Sequence, residues 1–297
     1  NIKNISWDIN KIEVYSENLK NEKLLNFENS NKEIFSIIKN YELYNILIFS
    51  LNNNKLFKRK KNFKYNSSRN YSLVINCDAN SSITKRYFTK NLTKNYYSYA
   101  LTSIIDHKNL MNNNTATQIF TRKGPLAFLP ISNKKTSIVY SVRGSRDVDF
   151  ENLIKKYNNK YEITKINPVS NFELSSSNLR NYYFENILAF GDILHRLHPL
   201  AGQGFNMSIR DIRLLINLID SKLKCGLELD NSICIDFEKK IKHKNYLFSN
   251  GIDFIYEFFN LESKFNNQIL SKPVQFLGKN KFLNKIFKDL ADNGLIT

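Results

Sequence analysis

The chain has 297 residues, 42% hydrophobic and 13% aromatic, enough to bury a core in one large domain or two smaller ones and too apolar for a disordered chain. Lys and Arg number 44 against 27 acidic residues, and the net charge of +17 suits nucleic acid, anionic lipid or an anionic cofactor. The basic residues are scattered through an Asn-, Lys- and Ile-rich sequence with no nucleic-acid motif, so no nucleic-acid partner is expected.

Cys77, Cys225 and Cys234 form no Cys-x-x-Cys pair, which argues against a disulfide framework and for a reducing compartment. No apolar run reaches the ~18 residues of a membrane span. The expectation is a cytoplasmic protein, with peripheral contact at the inner face of the membrane as a further option.

Taken in order, Ile5, Trp7, Ile9, Ile12 and Val14 alternate loosely and predict a strand or two between Ile2 and Tyr15. Ser30 is placed to cap a helix over Glu33–Leu43, with Ile34, Ile37, Ile38 and Leu43 as its inner face. Lys55–Lys64 is basic with two interleaved Phe, and reads as a solvated hairpin or a contact for anionic lipid. Tyr71–Asp78 reads as a buried strand ending in an acid, followed by an Asx turn at Asp78-Ala-Asn-Ser-Ser82. Tyr97–Asp106, Thr117–Thr121, Leu126–Pro130 and Thr136–Val142 predict strands, with Arg122-Lys-Gly-Pro125 as a turn and Phe128 and Tyr140 as core. Val148–Tyr161 predicts a helix, and Phe172–Arg180 leads back towards the next strand.

Ile187–Phe190 is a short apolar run that stops at Gly191-Asp192 and reads as a buried strand. A loop with Pro199, Gly202 and Gly204 follows, and then a helix from Phe205 whose apolar positions recur at Ile209, Ile212, Ile216 and Ile219. Strand, acid, Gly-rich loop and helix start make a clamp for an electron-rich or anionic ligand, because the first helical amides are free and the dipole is positive there. The plain alternative is an ordinary turn with Asp192 as a cap. After Asp220 the pattern is helical over Phe237–Gly251 and Ile252–Phe265, and Lys281–Leu290 is short, basic and amphipathic. His195 and His198 have no third ligand at metal spacing, so no metal site is assigned. No hydrolase elbow, phosphate loop or kinase set is present.

Gly191-Asp192, His195, His198-Pro-Leu-Ala-Gly-Gln-Gly-Phe-Asn206 and Arg210-Asp211 closely resemble the second FAD motif of flavoprotein aromatic hydroxylases. The nearest subgroup is the ubiquinone-biosynthesis (polyprenylphenol) hydroxylases of the para-hydroxybenzoate hydroxylase superfamily. Gln118–Pro130 resembles the same enzymes, and Asp78-Ala-Asn-Ser-Ser82 with Lys85 resembles their Asp-Gly motif. Ala79 and Asn76 stand where that family usually has Gly, and Lys39-Asn40-Tyr41 where it often has Glu-Asn-Arg. An Ala at a turn that requires positive φ costs about 1 kcal/mol or more.

The resemblance implies an α/β fold: a three-layer, glutathione-reductase-like FAD-binding domain interleaved with an antiparallel substrate sheet and followed by C-terminal helices. On that reading, residues 1–15 are substrate-domain strands, 16–85 part of the FAD-binding domain, 86–175 the substrate sheet, 176–225 the FAD-binding strand–loop–helix and 226–297 the C-terminal helices. Gly191, Asp192, Pro199, Gly202, Gln203, Gly204, Phe205 and Asn206 would hold the flavin, with Asp78 nearby, and Gly124, Pro125, Leu126, Ala127 and Phe128 would line the substrate pocket. No catalytic acid or base is implied. The implied reaction is hydroxylation of a lipid-tailed phenol with FAD, NADH or NADPH and dioxygen, at a membrane surface or within a quinone-biosynthesis complex. The family's opening βαβ unit with Gly-x-Gly-x-x-Gly is missing from this sequence. The chain is therefore a fragment (the preferred explanation), one half of a two-chain protein, or a degenerate, non-catalytic relative that serves as a partner subunit.

Overall fold

The apolar residues gather into separate cores, and the chain divides into two compact units. The computed structural model describes residues 2–19, 22–28, 33–60, 70–144, 147–198 and 202–265. The first unit takes in the chain up to Arg59, Tyr97–Glu173 and the described residues from Phe258; the second takes in Lys60–Tyr96 and Leu174–Glu257.

The first unit opens with β1 (Ser6–Ile9), β2 (Lys11–Ser16), β3 (Lys23–Glu28), β4 (Phe35–Ile38) and α1 (Asn40–Asn52). In the second, β5 (Val74–Asn76) and α2 (Ser82–Tyr87) precede β6 (Asn91–His107), which continues into the first. There follow β7 (Thr115–Thr121), β8 (Gly124–Ser132), β9 (Lys135–Arg143), α3 (Phe150–Tyr157) and β10 (Ile163–Ile166). The chain then forms β11 (Ser170–Leu179), β12 (Tyr183–Phe184), β13 (Ile187–Ala189), β14 (His195–Arg196), α4 (Gln203–Lys224) and α5 (Ser232–Phe265).

In the first unit the strands run in the order β6-β9-β8-β7-β2-β3, with β10 also paired to β6. Neighbours are antiparallel except β2 and β7, which run parallel with Lys11 opposite Thr115. Period-2 burial sorts β8: Leu126 and Phe128 are 0% and 3% exposed and pack with Tyr140, Phe150 and Ile154, while Gly124, Pro125 and Ala127 stay half-buried. Thus Phe128 and Tyr140 are core, as expected. Leu126 and Phe128 fill that core, which leaves Gly124, Pro125 and Ala127 as the members of the expected pocket stretch with accessible surface.

Several elements differ from the sequence expectation. Glu33–Leu43 is not one helix, because Phe35–Ile38 pairs antiparallel with Ser6–Ile9 and α1 begins only at Asn40. A β-branched run with a partner strand within reach favours the ladder over an isolated helical turn. The proposed cap Ser30 lies outside the described residues, and α1 starts at Lys39 with no side-chain cap. Leu56–Lys60 is exposed and forms no hairpin strand, and 61–69 lie outside the described residues. The expected strand to Asp78 shortens to Val74–Asn76, β6 begins six residues before Tyr97, and the Val148–Tyr161 helix shortens to α3, capped by Asp149 accepting from the Asn152 amide at 3.0 Å.

The C-terminal pattern forms one helix, not two. Gly251 lies inside α5, and the buried positions Phe237, Ile241, Asn245, Ser249, Ile252 and Tyr256 continue one stripe across it. Lys281–Leu290 lies outside the described residues. In α4 the isoleucine face read from the sequence is not the buried one. Ile209, Ile212 and Ile216 are 48%, 41% and 51% exposed, whereas Met207, Asp211 and Leu215 are buried. The helix is apolar on two faces, and spacing alone does not say which one meets the core.

Gly124 turns β7 into β8 at φ +139°, and a Cβ there would lie 1.9 Å from the Ser141 carbonyl oxygen. Gly124→Ala is therefore expected to lower stability by about 3 kcal/mol or more in urea unfolding, since backbone blocks backbone and no rotamer relieves it.

Candidate functional site

In the second unit β5 and β13 run parallel, with Ile187 opposite Val74, Leu188 opposite Ile75 and Ala189 opposite Asn76. Ile187, Leu188 and Ala189 are 0% exposed, the continuous burial expected of a strand covered on both faces. Because the register is even, the two strands end together. Asp78 and Asp192 therefore emerge from adjacent carboxyl ends, the edge where parallel sheets place ligands.

The first of these ends is organised by Asn76, which is 7% exposed. Its Nδ2 donates to Thr84 Oγ1 at 2.7 Å, its Oδ1 accepts from Ser81 Oγ at 3.2 Å, and its carbonyl accepts from the Phe190 amide at 2.9 Å. Asp78 Oδ1 accepts from the Asn80 amide at 2.8 Å, the expected Asx turn, and Ser81 caps α2. The only non-Gly residues with positive φ among the described ones are Tyr97 and Glu185, so Ala79 carries no such strain. The turn built here does not need the family's Gly.

At the second end Gly191 takes φ +65°, and Gly191–Ile193 forms a short 3-10 turn with Asp192 exposed and Ile193 buried. β14 then pairs antiparallel with β11, Asn178 facing His195. His198 is 1% exposed, edge-on to Tyr96 at 4.8 Å and against Tyr256 at 4.3 Å. Pro199 lies outside the described residues. Gly202 precedes α4 at φ +64°, and no side chain caps the helix. A Cβ added at Gly191, Gly202 or Gly204 would meet nothing within 4 Å, while Phe205 and Asn206 are exposed.

Two polar atoms on the first turns of α4, Gln203 Oε1 and Arg210 Nη2, are buried without a hydrogen-bond partner among the described residues. Burial pulls the Arg210 pKa down, opposed by the charge of Asp211, and its guanidinium lies 4.5 Å from the Phe248 ring. Buried polar groups nearly always have partners. The uncapped amides, the open space before the glycines and these two orphaned groups fit a polar, anionic cofactor such as FAD.

One constellation was not legible in the sequence. His195 Nε2 and Asp211 Oδ2 lie 2.7 Å apart with both side chains 0% exposed, and Asn245 Nδ2 stands 3.4 Å from each Asp211 oxygen. The contact ties the Gly-Asp loop to α4 and α5. The sequence places His195 and Asp211 in one motif but does not show that they meet. His195 is turned to Asp211 and His198 to two tyrosines, so the pair does not converge on one point.

Residues 143–225 match a family described as an FAD binding domain. In three dimensions the chain is similar to pqsL of Pseudomonas aeruginosa, a probable FAD-dependent monooxygenase (TM-score 0.66, 15% identity, 92% of this chain and 83% of that one). It is also similar to the p-nitrophenol 4-monooxygenase PnpA of Pseudomonas putida (0.75, 9%, 100% and 84%) and to HpxO of Klebsiella pneumoniae complexed with FAD and uric acid (0.70, 10%, 100% and 84%). The fold is that of the FAD-dependent monooxygenases. In sequence the chain is similar to the ubiquinone biosynthesis monooxygenase COQ6 of Schizosaccharomyces pombe, 22% identical over 75% of this chain and 57% of the relative. The human COQ6 is 24% identical over 53% of this chain and 43% of that protein. The chain thus spans about half the length of the relatives it matches, and the hydroxylase resemblance drawn from its motifs is the one the comparisons return.

Breaking a buried, mutually compensated pair strands the surviving partner. Asp211→Ala is expected to destabilise the second unit by roughly 3–5 kcal/mol in urea unfolding, with Asp211→Asn milder because it keeps an oxygen for His195.

Proposed function

We propose that this polypeptide is part of a flavin-dependent monooxygenase that hydroxylates a lipid-tailed phenol in ubiquinone biosynthesis. The observation that carries the reading is an exposed carboxylate, Asp192, at the end of a fully buried parallel strand and just ahead of an uncapped, glycine-fronted helix. Bound FAD supplies the chemistry, activating dioxygen for transfer of one oxygen atom once NADH or NADPH has reduced it.

The chain's own residues bind and orient. Asp192 would accept hydrogen bonds from hydroxyls of the cofactor, and the amides from Gly202 to Asn206 would hold its electron-rich groups. Pro199 belongs to the same loop, and Asp78 holds the neighbouring turn. Gly124, Pro125 and Ala127 supply apolar surface to the phenol, with Leu126 and Phe128 supporting them from the core. No acid or base of this chain is assigned a proton. The lipid tail makes a membrane surface, or a complex that hands over the substrate, the natural source. No helix among the described residues is long and apolar enough to cross a membrane.

The test is titration of the purified chain with FAD, followed by quenching of flavin fluorescence, with a phenol-hydroxylation assay beside it. Loss of a charged acceptor for hydroxyl donors is worth about 1.5–3 kcal/mol, so Asp192→Ala should weaken FAD binding at least tenfold while Asp192→Glu retains part of it. Equal affinity in wild type and Asp192→Ala would remove Asp192 from the site. Absence of any flavin from the purified, full-length gene product would favour a non-catalytic partner subunit.

A further inference from the structure

The second unit holds a cleft of about 580 Å³ bounded by the end of β11, the start of β6 and the middle of α5. Neither Asp192 nor any residue of the Gly202–Asn206 turn lines it. Its apolar surface is partly open: Leu179 and Tyr182 are 3% and 1% exposed, but Leu92 and Tyr246 are 41% and 44% exposed.

Its charge is one-sided. Arg180, Lys239, Lys242 and His243 border the cleft, and Glu238 is the one carboxylate among its lining residues. Glu238 is already engaged, accepting from the Tyr182 amide at 2.7 Å and from Lys242 Nζ at 3.0 Å. Neither Arg180 nor Lys239 joins an ion pair among the described residues, and both are exposed. On the wall Asn178 Nδ2 donates to Ser249 Oγ at 2.9 Å, while its Oδ1 is buried without a partner among the described residues. Cations gathered beside a spent carboxylate repel one another, and an anion relieves that repulsion through charge-assisted hydrogen bonds. Apolar walls with a few convergent polar groups are the usual make-up of a small-molecule site.

We propose that this cleft is a second ligand site, taking a phosphate or carboxylate carried on a small apolar body. Arg180 and Lys239 grip the anion, and Leu92 and Tyr246 cover the body. The site is independent of the flavin reading and stands or falls without it.

The experiment is calorimetric titration of the full chain with phenyl phosphate, inorganic phosphate and benzyl alcohol at low and high salt. Phenyl phosphate should bind saturably, more weakly at high salt, and more tightly than inorganic phosphate, with benzyl alcohol not binding. Arg180→Ala combined with Lys239→Ala should weaken phenyl phosphate at least tenfold, while Lys240→Ala, on the same helix but outside the cleft, should leave it within twofold. Should the double variant fail to fold, Lys239→Gln alone must weaken binding threefold or more. Vesicles of phosphatidylcholine with and without phosphatidic acid separate the sources: Arg180-dependent sedimentation with phosphatidic acid supports a lipid headgroup, and its absence alongside phenyl phosphate binding supports a soluble ligand. Equal phenyl phosphate affinity in wild type and in whichever cleft variant folds, or benzyl alcohol binding as tightly as phenyl phosphate, would overturn the proposal.

Discussion

The parallel pairing of β5 with β13 is the constraint on which the candidate site depends. Three consecutive residues without solvent exposure can sit only between covering layers, and burying Ile187 and Leu188 is worth roughly 1.5–3 kcal/mol each. The ladder pairs Ile187 with Val74, Leu188 with Ile75 and Ala189 with Asn76. The register in turn fixes where the chain leaves the sheet, and both acidic turns leave it at the same edge.

Around that edge, polar residues hold the loops in place. Asn76 bonds to Thr84, Ser81 and, through its carbonyl, the Phe190 amide, so the Asx turn and the β13 exit share one anchor. His195 and Asp211, with Asn245 nearby, fasten the following loop to two helices inside an apolar core. A buried pair of this kind adds little net stability against apolar replacements, but losing one partner is costly. Gln203 and Arg210 differ, each carrying a buried atom that no group among the described residues satisfies. The same contrast marks the cleft on α5, where Glu238 is paired and Arg180 and Lys239 are not.

The sheet around β7, β8 and β9 was legible because its signals are local. Alternation and the Arg122-Lys-Gly-Pro125 turn place the strands, and burial of Phe128 and Tyr140 follows from period-2 geometry. Ile187–Phe190 with Gly191-Asp192 was legible for the same reason. Glu33–Leu43 was misread because Phe35–Ile38 finds its partner in Ser6–Ile9, about thirty residues away in sequence. In α4 the period alone does not choose a face, because Ile209, Ile212 and Ile216 satisfy it as well as Met207, Asp211 and Leu215 do.

By itself the sequence determined the strand, the acidic turn and the glycine-fronted helix, because apolar runs, glycines and helix starts act through neighbours within a few residues. It also determined the flavoprotein resemblance, which rests on one nearly continuous motif. Only the tertiary structure decided that Asp78 and Asp192 share a sheet edge, that His195 meets Asp211, and that the cations of the β11 end and α5 surround one cleft. Each of those depends on which distant surfaces pack together, and that is settled by the burial of whole faces rather than by any local pattern.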